Sequence, residues 1–173
     1  MYKLLPDIYQ RNIYEIDYIA LKDAGVKIIL FDLENTLAAF EDEKPNVNQK
    51  ALMDELKKIG IIPIIISNAT KKKIAPYKDG LVLNAAFFSL KPFKFKYKKI
   101  MNLYKVKANE IAAIGDQLFT DVLGANRLGI ISILVNPVSE EDFFLTKINR
   151  FFENRVINHY ERRGIFARGE YYE

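Results

Sequence analysis

Seven polar side chains stand at places where they could work together. Asp32 and Glu34 follow one apolar run, Ser67 and Asn68 a second, and Lys91 a third that is less regular. Asp116 follows a fourth, with Asp121 five positions on. Carboxylates that converge repel one another unless a cation neutralises them. Hard oxygen donors of this kind suit Mg²⁺, which keeps several waters and binds through one or two carboxylates plus a phosphate oxygen. A lysine ammonium and a serine hydroxyl beside such an ion would hold the other phosphate oxygens. A carboxylate left free could attack phosphorus and form an aspartyl-phosphate. Taken singly, each residue has a plainer explanation. Ser67-Asn68 is a turn or helix cap, Lys91 before Pro92 an exposed loop lysine, and Gly115-Asp116 a turn. Asp121 alone would be a charge complementing a helix dipole.

Convergence requires elements that bring these residues to one place. Val26 to Leu33, Ile61 to Ile66, Ile111 to Ile114 and Ile130 to Val135 are short aliphatic runs that read as buried strands, and Leu81 to Phe88 holds another. Pro63 is tolerable only near the start of its strand. Between the runs lie helical signals. Asn46 or Asn48 caps a helix carrying Leu52, Leu56 and Ile59, which Gly60 closes. Lys71 to Tyr77, Lys96 to Tyr104 and Thr120 to Leu128 also read as helices, the last ended by Gly129. Buried strands alternating with helices predict an α/β domain with a mainly parallel sheet of about five strands, covered on both faces. In such a sheet ligands bind beyond the carboxyl ends of the strands, where the polar residues fall.

Composition sets the bounds. The chain has 173 residues, 50% of them hydrophobic and 28% charged, which suits one globular domain with a substantial core. No cysteine is present, which removes disulfide scaffolds and thiolate metal sites and fits a reducing, cytoplasmic setting. No apolar run approaches the roughly 20 residues of a membrane span, and the first residues lack the apolar stretch of a secretion signal. The net charge of +4 is uneven: residues 1–56 carry −5, residues 57–107 carry +12 and residues 108–173 carry −3. The basic middle fits solvated helix faces, or a field that attracts a phosphorylated ligand. Nucleic acid is the fainter of the anionic partners it suggests.

Phe31-Asp32-Leu33-Glu34-Asn35-Thr36 resembles motif I of the haloacid dehalogenase (HAD) superfamily. Ile66-Ser67-Asn68 is similar to motif II, Lys91-Pro92 to motif III, and Gly115-Asp116 through Asp121 to motif IV, all in the family's order. The motif IV run, with Asn136-Pro137 and the short N-terminal lead, more closely resembles the YqeG-type subfamily IIIA phosphatases, which are similar to phosphatidylglycerophosphate phosphatases. The resemblance implies a Rossmann-like three-layer sandwich with a core over 26–137, and an Mg²⁺-dependent phosphatase. It implies Asp32 as nucleophile and metal ligand, the backbone carbonyl at Glu34 as a second ligand, and Asp116 as a third, supported by Asp121. Ser67, Asn68 and Lys91 would hold phosphate. The family usually has Asp where Glu34 stands, acting as acid and base. The extra methylene puts efficiency and leaving-group preference in question, because a shift of about 1 Å can cost on the order of a hundredfold in rate.

Many members carry a cap domain, but neither Leu37 to Gly60 nor Ala69 to Leu90 has room for one. An open site suits bulky substrates, with a phospholipid monoester as the first expectation. Residues 1–25 are expected to form one or two helices, opened by Pro6. Residues 138–173 are expected to form a C-terminal helical segment starting near Ser139-Glu140-Glu141. Its apolar side, Phe143, Phe144, Ile148, Phe151, Phe152, Val156 and Ile157, would dock on the core or rest on anionic lipid. His159 reads as a surface or packing residue. Two function classes follow: a phosphatase, or an inactive module of the same fold that binds a phosphorylated ligand or protein.

Overall fold

The computed structural model describes residues 3–139 and 144–172, and the side chains of all of these except 144–148. Strands β1 (Ile8–Gln10), β2 (Ile28–Phe31), β3 (Ile62–Ile66), β4 (Asn84–Ala86), β5 (Ile111–Gly115) and β6 (Ile131–Val135) form one sheet. Their order is β1-β6-β5-β2-β3-β4, and every pair is parallel. The helices are α1 (Tyr18–Asp23), α2 (Val47–Lys58), α3 (Lys71–Gly80), α4 (Phe95–Tyr104), α5 (Leu123–Asn126) and α6 (Phe144–Glu161).

β2 lies centrally and is wholly buried, each residue at 0% exposure, which explains its continuous apolar run. Ile29 and Phe31 join a cluster on one face with Leu52, Met53, Leu56 and Tyr77. Ile28 and Leu30 join one on the other face with Tyr97, Ile100 and Ala125. The α2 start is a reciprocal cap: Asn46 accepts from the Gln49 amide and donates its own to Gln49 Oε1, both at 2.9 Å. Pro63 sits beside Ile29 in the ladder. The Ile62 amide points to β2, bonding the Lys27 carbonyl at 2.9 Å. Position 63 therefore turns toward β4, whose pairing begins only at Ile64, and the missing amide breaks no ladder bond.

Two expectations change. The sheet has six strands, because residues 8–10 form an edge strand where the sequence suggested helix. Three residues are too short for periodicity to show, and the pairing is set from outside. Asp7 Oδ2 accepts from the Ser132 amide at 2.8 Å and from its hydroxyl at 2.9 Å, aligning β1 with β6. On its free side Tyr9 exchanges two backbone bonds of 2.9 Å with Tyr172, so the C-terminus covers the edge. The second change is at residues 118–122, where a π-helical turn precedes the short α5 in place of one regular helix. The C-terminal segment is helical over Phe144–Glu161 only, with turns and the Tyr172 bridge following; it docks on the core through Ile157 and Tyr160, while Phe151 and Phe152 of the expected apolar face are exposed. The expected helix start at Glu140-Glu141, together with Phe143, lies outside the described residues.

Candidate active site

From β2 the chain builds outward through β3 to β4, then returns to the other side of β2 for β5 and β6, beyond which the N-terminal β1 forms the edge. A crevice therefore opens beyond β2 and β5. The Asp32 amide still donates to the Ile114 carbonyl at 2.9 Å, so both strands release their acidic residues at the same level. After Asp32 the chain turns tightly: the Leu37 and Ala38 amides donate to the Leu33 carbonyl at 3.1 and 3.0 Å. Asn35 takes the left-handed φ of 59° that this turn requires, a region Asn tolerates.

The crevice floor is charged and buried. Carboxylate oxygens of Asp32, Asp116 and Asp121 lie within 4.8 Å of one another. Lys91 Nζ bridges Asp32 Oδ1 and Asp121 Oδ1, each at 2.6 Å. Asp116 Oδ1 accepts from the Thr36 hydroxyl at 3.2 Å. Its Oδ2 pairs with Arg150 of α6, whose Nη1 also donates to the Asp116 carbonyl at 2.6 Å. Arg150 is held in turn by buried Glu153 at 3.3 Å. Asp121 Oδ2 accepts from the Gln117 amide and the Thr120 hydroxyl, both at 3.2 Å. A Cβ on Gly115 would lie 2.1 Å from Asp121 Cγ, so this strand end must be glycine for Asp121 to reach the floor.

Burial pushes the Asp32 carboxyl up to about 6, with Lys91 opposing and Asp121 adding to the rise. Burial raises Asp116 to about 8 against the pull of Arg150. For Lys91, burial favours the neutral amine, but Asp121 and Asp32 together outweigh it and hold the ammonium. Three acidic side chains share two cations in this buried floor, and crowding and burial press protons onto two of them. This excess of acidic, hard oxygen donors fits a divalent cation of the Mg²⁺ type.

Above the floor is a cleft of about 800 Å³, whose lining includes Asp32, Glu34, Ser67, Asn68, Lys73 and Lys91. Ser67 is buried beside Asp32's strand, with its Oγ accepting from the Ala69 amide at 3.1 Å. Asn68 brackets Lys91: its Oδ1 accepts from the Lys91 amide at 2.7 Å and its Nδ2 donates to the Lys91 carbonyl at 3.2 Å. Of the basic middle third, Lys73 and Lys91 line the cleft. All seven residues singled out in the sequence gather here. Arg150 and Glu153 were not singled out as site residues. Their three-residue spacing on a helix hints at an ion pair, but nothing in the sequence ties them to Asp116, 34 residues away.

Comparison with known proteins shows the family. The family profile described as HAD-hydrolase-like matches residues 90–138. The chain is 35% identical to "Probable phosphatase YqeG" of Bacillus subtilis, over 92% of this chain and 93% of that protein. The chain belongs to the YqeG family of HAD-like hydrolases. It is also 24% identical to phosphatidylglycerophosphate phosphatase 1, chloroplastic/mitochondrial, of Arabidopsis thaliana, over 94% of this chain but 49% of that protein. The Chlamydomonas reinhardtii chloroplastic counterpart is 29% identical over 86% of this chain and 60% of its own length. In fold, a hydrolase assigned to subfamily III A of the superfamily from Legionella pneumophila superposes with TM-score 0.53 at 18% identity, covering 69% of this chain and 71% of that one.

Proposed function

We propose that this family member is an Mg²⁺-dependent phosphatase that hydrolyses a phosphate monoester through an aspartyl-phosphate on Asp32. The observation that carries the reading is the floor itself: a cleft-lining carboxylate bonded to Lys91 at 2.6 Å and grouped with two further buried carboxylates. Asp32, Asp116 and Asp121, with the backbone carbonyl at Glu34, would hold the ion. Bound there, Mg²⁺ would supply positive charge against the phosphate and keep Asp32 ionised.

The chain's own residues account for the rest. Lys91 neutralises phosphate charge and fixes the Asp32 rotamer. Asn68, by clamping both sides of the Lys91 peptide, keeps that ammonium in place. The Ser67 hydroxyl donates to a phosphate oxygen. An Asp32 oxygen bonds to phosphorus as the ester P–O bond breaks, and Glu34, half-buried at the cleft wall, gives its proton to the leaving oxygen. Water then attacks the phosphorus of the aspartyl-phosphate, Glu34 takes its proton, and the P–O bond to Asp32 breaks, releasing inorganic phosphate and restoring the carboxylate. Positioning and electrostatics supply most of the rate.

For the substrate we favour a phospholipid phosphate monoester. The cleft has no cap among the described residues, and two of the relatives are named for phosphatidylglycerophosphate, which supports a head group entering from a membrane. Phosphate release from p-nitrophenyl phosphate and from phosphatidylglycerophosphate, each with and without Mg²⁺, tests both levels. Asp32→Asn should lower both activities by about 10⁴-fold or more. Metal-dependent turnover surviving in pure Asp32→Asn protein would overturn the mechanism. A strong preference for small soluble phosphates would overturn the lipid substrate alone.

A further inference from the structure

The stretch that delivers Lys91 to the cleft inverts the ordinary rule of burial. Phe88, Leu90, Phe93 and Phe95 are 52%, 67%, 63% and 71% exposed, while Lys91 among them is 6% exposed. The inversion has a local cause. Asp32 and Asp121 draw Lys91 inward, and Asn68 fixes its backbone on both sides. Leu90 takes a left-handed φ of 53°, which a leucine keeps only where its surroundings impose it. The Phe93 amide donates to the Leu90 carbonyl at 2.8 Å, so both side chains leave one tight turn. Lys91 and Pro92 line the cleft, so these exposed apolar side chains flank cleft residues along the chain, where exposed apolar groups can form an interaction surface.

Along the chain, the charge around these side chains is of one sign. From Gly80 to Asn109 there are seven lysines and no acidic residue. Lys98 and Lys99 are exposed, Lys94 and Lys96 half-exposed, and Lys96 Nζ lies 5.6 Å from the Phe87 ring centre. Pro92, inside the same turn, lines the cleft.

We propose that residues 87–99 form the surface by which this protein docks on an anionic phospholipid bilayer, with the cleft mouth at head-group level. The aromatic rings and Leu90 enter the boundary between head groups and acyl chains, while the lysines pair with lipid phosphates and keep their charge in water. A protein partner would use the same aromatic groups, but the lysines on both sides of Phe95, in a stretch without an acidic residue, match an extended anionic surface. The step from docking to substrate rests on the phospholipid reading above; the docking itself does not need turnover.

The test is sedimentation of the full chain with vesicles of phosphatidylcholine, alone or mixed with phosphatidylglycerol. The expected result is binding to the mixed vesicles that weakens at high salt. Phe93→Ser/Phe95→Ser should bind about tenfold more weakly or worse through lost apolar burial. Lys94→Glu/Lys98→Glu should do the same through lost charge. Both variants should hydrolyse p-nitrophenyl phosphate like the wild type, since none of these side chains lines the cleft; if the serine variant does not fold, the charge reversal alone decides. Wild-type binding by the variants, or no binding by the wild-type chain, overturns the proposal. So does a wild-type dimer that Phe93→Ser/Phe95→Ser makes monomeric without vesicle binding, because a second copy then covers the patch. A wild-type chain that binds vesicles but releases no phosphate leaves docking standing and removes the phosphatase reading.

Discussion

The floor of the cleft and the rim beside it are built on opposite terms. On the floor, Asp32, Lys91, Asp116 and Asp121 are all 6% exposed or less, and each carboxylate meets a cation or a hydroxyl. On the rim, Phe93 and Phe95 are exposed although the buried core residues Tyr97 and Ile100 follow within about two turns of chain. Charged groups inside and aromatic groups outside both go against the usual sorting. The floor keeps its charges because they compensate one another in a low dielectric, where removing one member strands the others. The rim gives up apolar burial with no such coupling. The floor should therefore be intolerant of change and the rim indifferent, unless a surface covers it.

That contrast can be broken at its strongest point first. Lys91→Met leaves Asp32 and Asp121 buried without their shared cation, and should destabilise the metal-free protein by about 3–5 kcal/mol in urea unfolding. Saturating Mg²⁺ should recover part of that loss. A change below about 1 kcal/mol would mean that the floor is wetter than its burial implies. Gly115→Ala comes next. Its methyl would overlap the Asp121 side chain, so a loss of about 1–3 kcal/mol is expected, with a higher Mg²⁺ requirement for activity as Asp121 is displaced.

Acidity should sharpen the picture with a smaller effect. Asp32 and Asp116 have folded-state values raised to about 6 and about 8. Groups raised on folding contribute stability that is fully present below the unfolded aspartate range and lost as pH rises through the folded values. The metal-free protein should therefore lose stability between about pH 4 and pH 8 from this source. The rise in melting temperature on adding Mg²⁺ should grow over the same interval, because binding competes with protons. Differential scanning fluorimetry with and without Mg²⁺ checks both slopes, and a Mg²⁺ effect independent of pH would count against these carboxylates as ligands. The smallest effect belongs to the rim: Phe95→Ser should change unfolding free energy by less than about 0.5 kcal/mol.

Legibility in the sequence followed the same divide. Asp32, Ser67 and Asp116 were readable because each closely follows an aliphatic run, and a parallel sheet sends all carboxyl ends to one edge; Lys91 follows a less regular run. Asn46 and Asn48 were both readable as caps because capping is local, and the reciprocal bonds with Gln49 select Asn46. β1 was not, since three residues carry no periodicity and its register comes from Asp7 meeting Ser132, 125 positions away. Asn68 was expected to bind phosphate, whereas its amide is engaged on both sides with the Lys91 backbone.

Local spacing and residue type carried the alternation of strand and helix, the family resemblance and the polar residues at the strand ends. Tertiary structure alone decided which charges compensate which. Lys91 reaches both Asp32 and Asp121, and Arg150 reaches Asp116 from a helix beyond the last strand. It also decided that Phe88, Leu90, Phe93 and Phe95 stay outside. Burial and charge pairing depend on separations in space that no pattern along the chain encodes: an aromatic residue beside a lysine reads the same whether its ring enters a core or faces water. Here the inward pull on Lys91 leaves those neighbouring side chains on the outside.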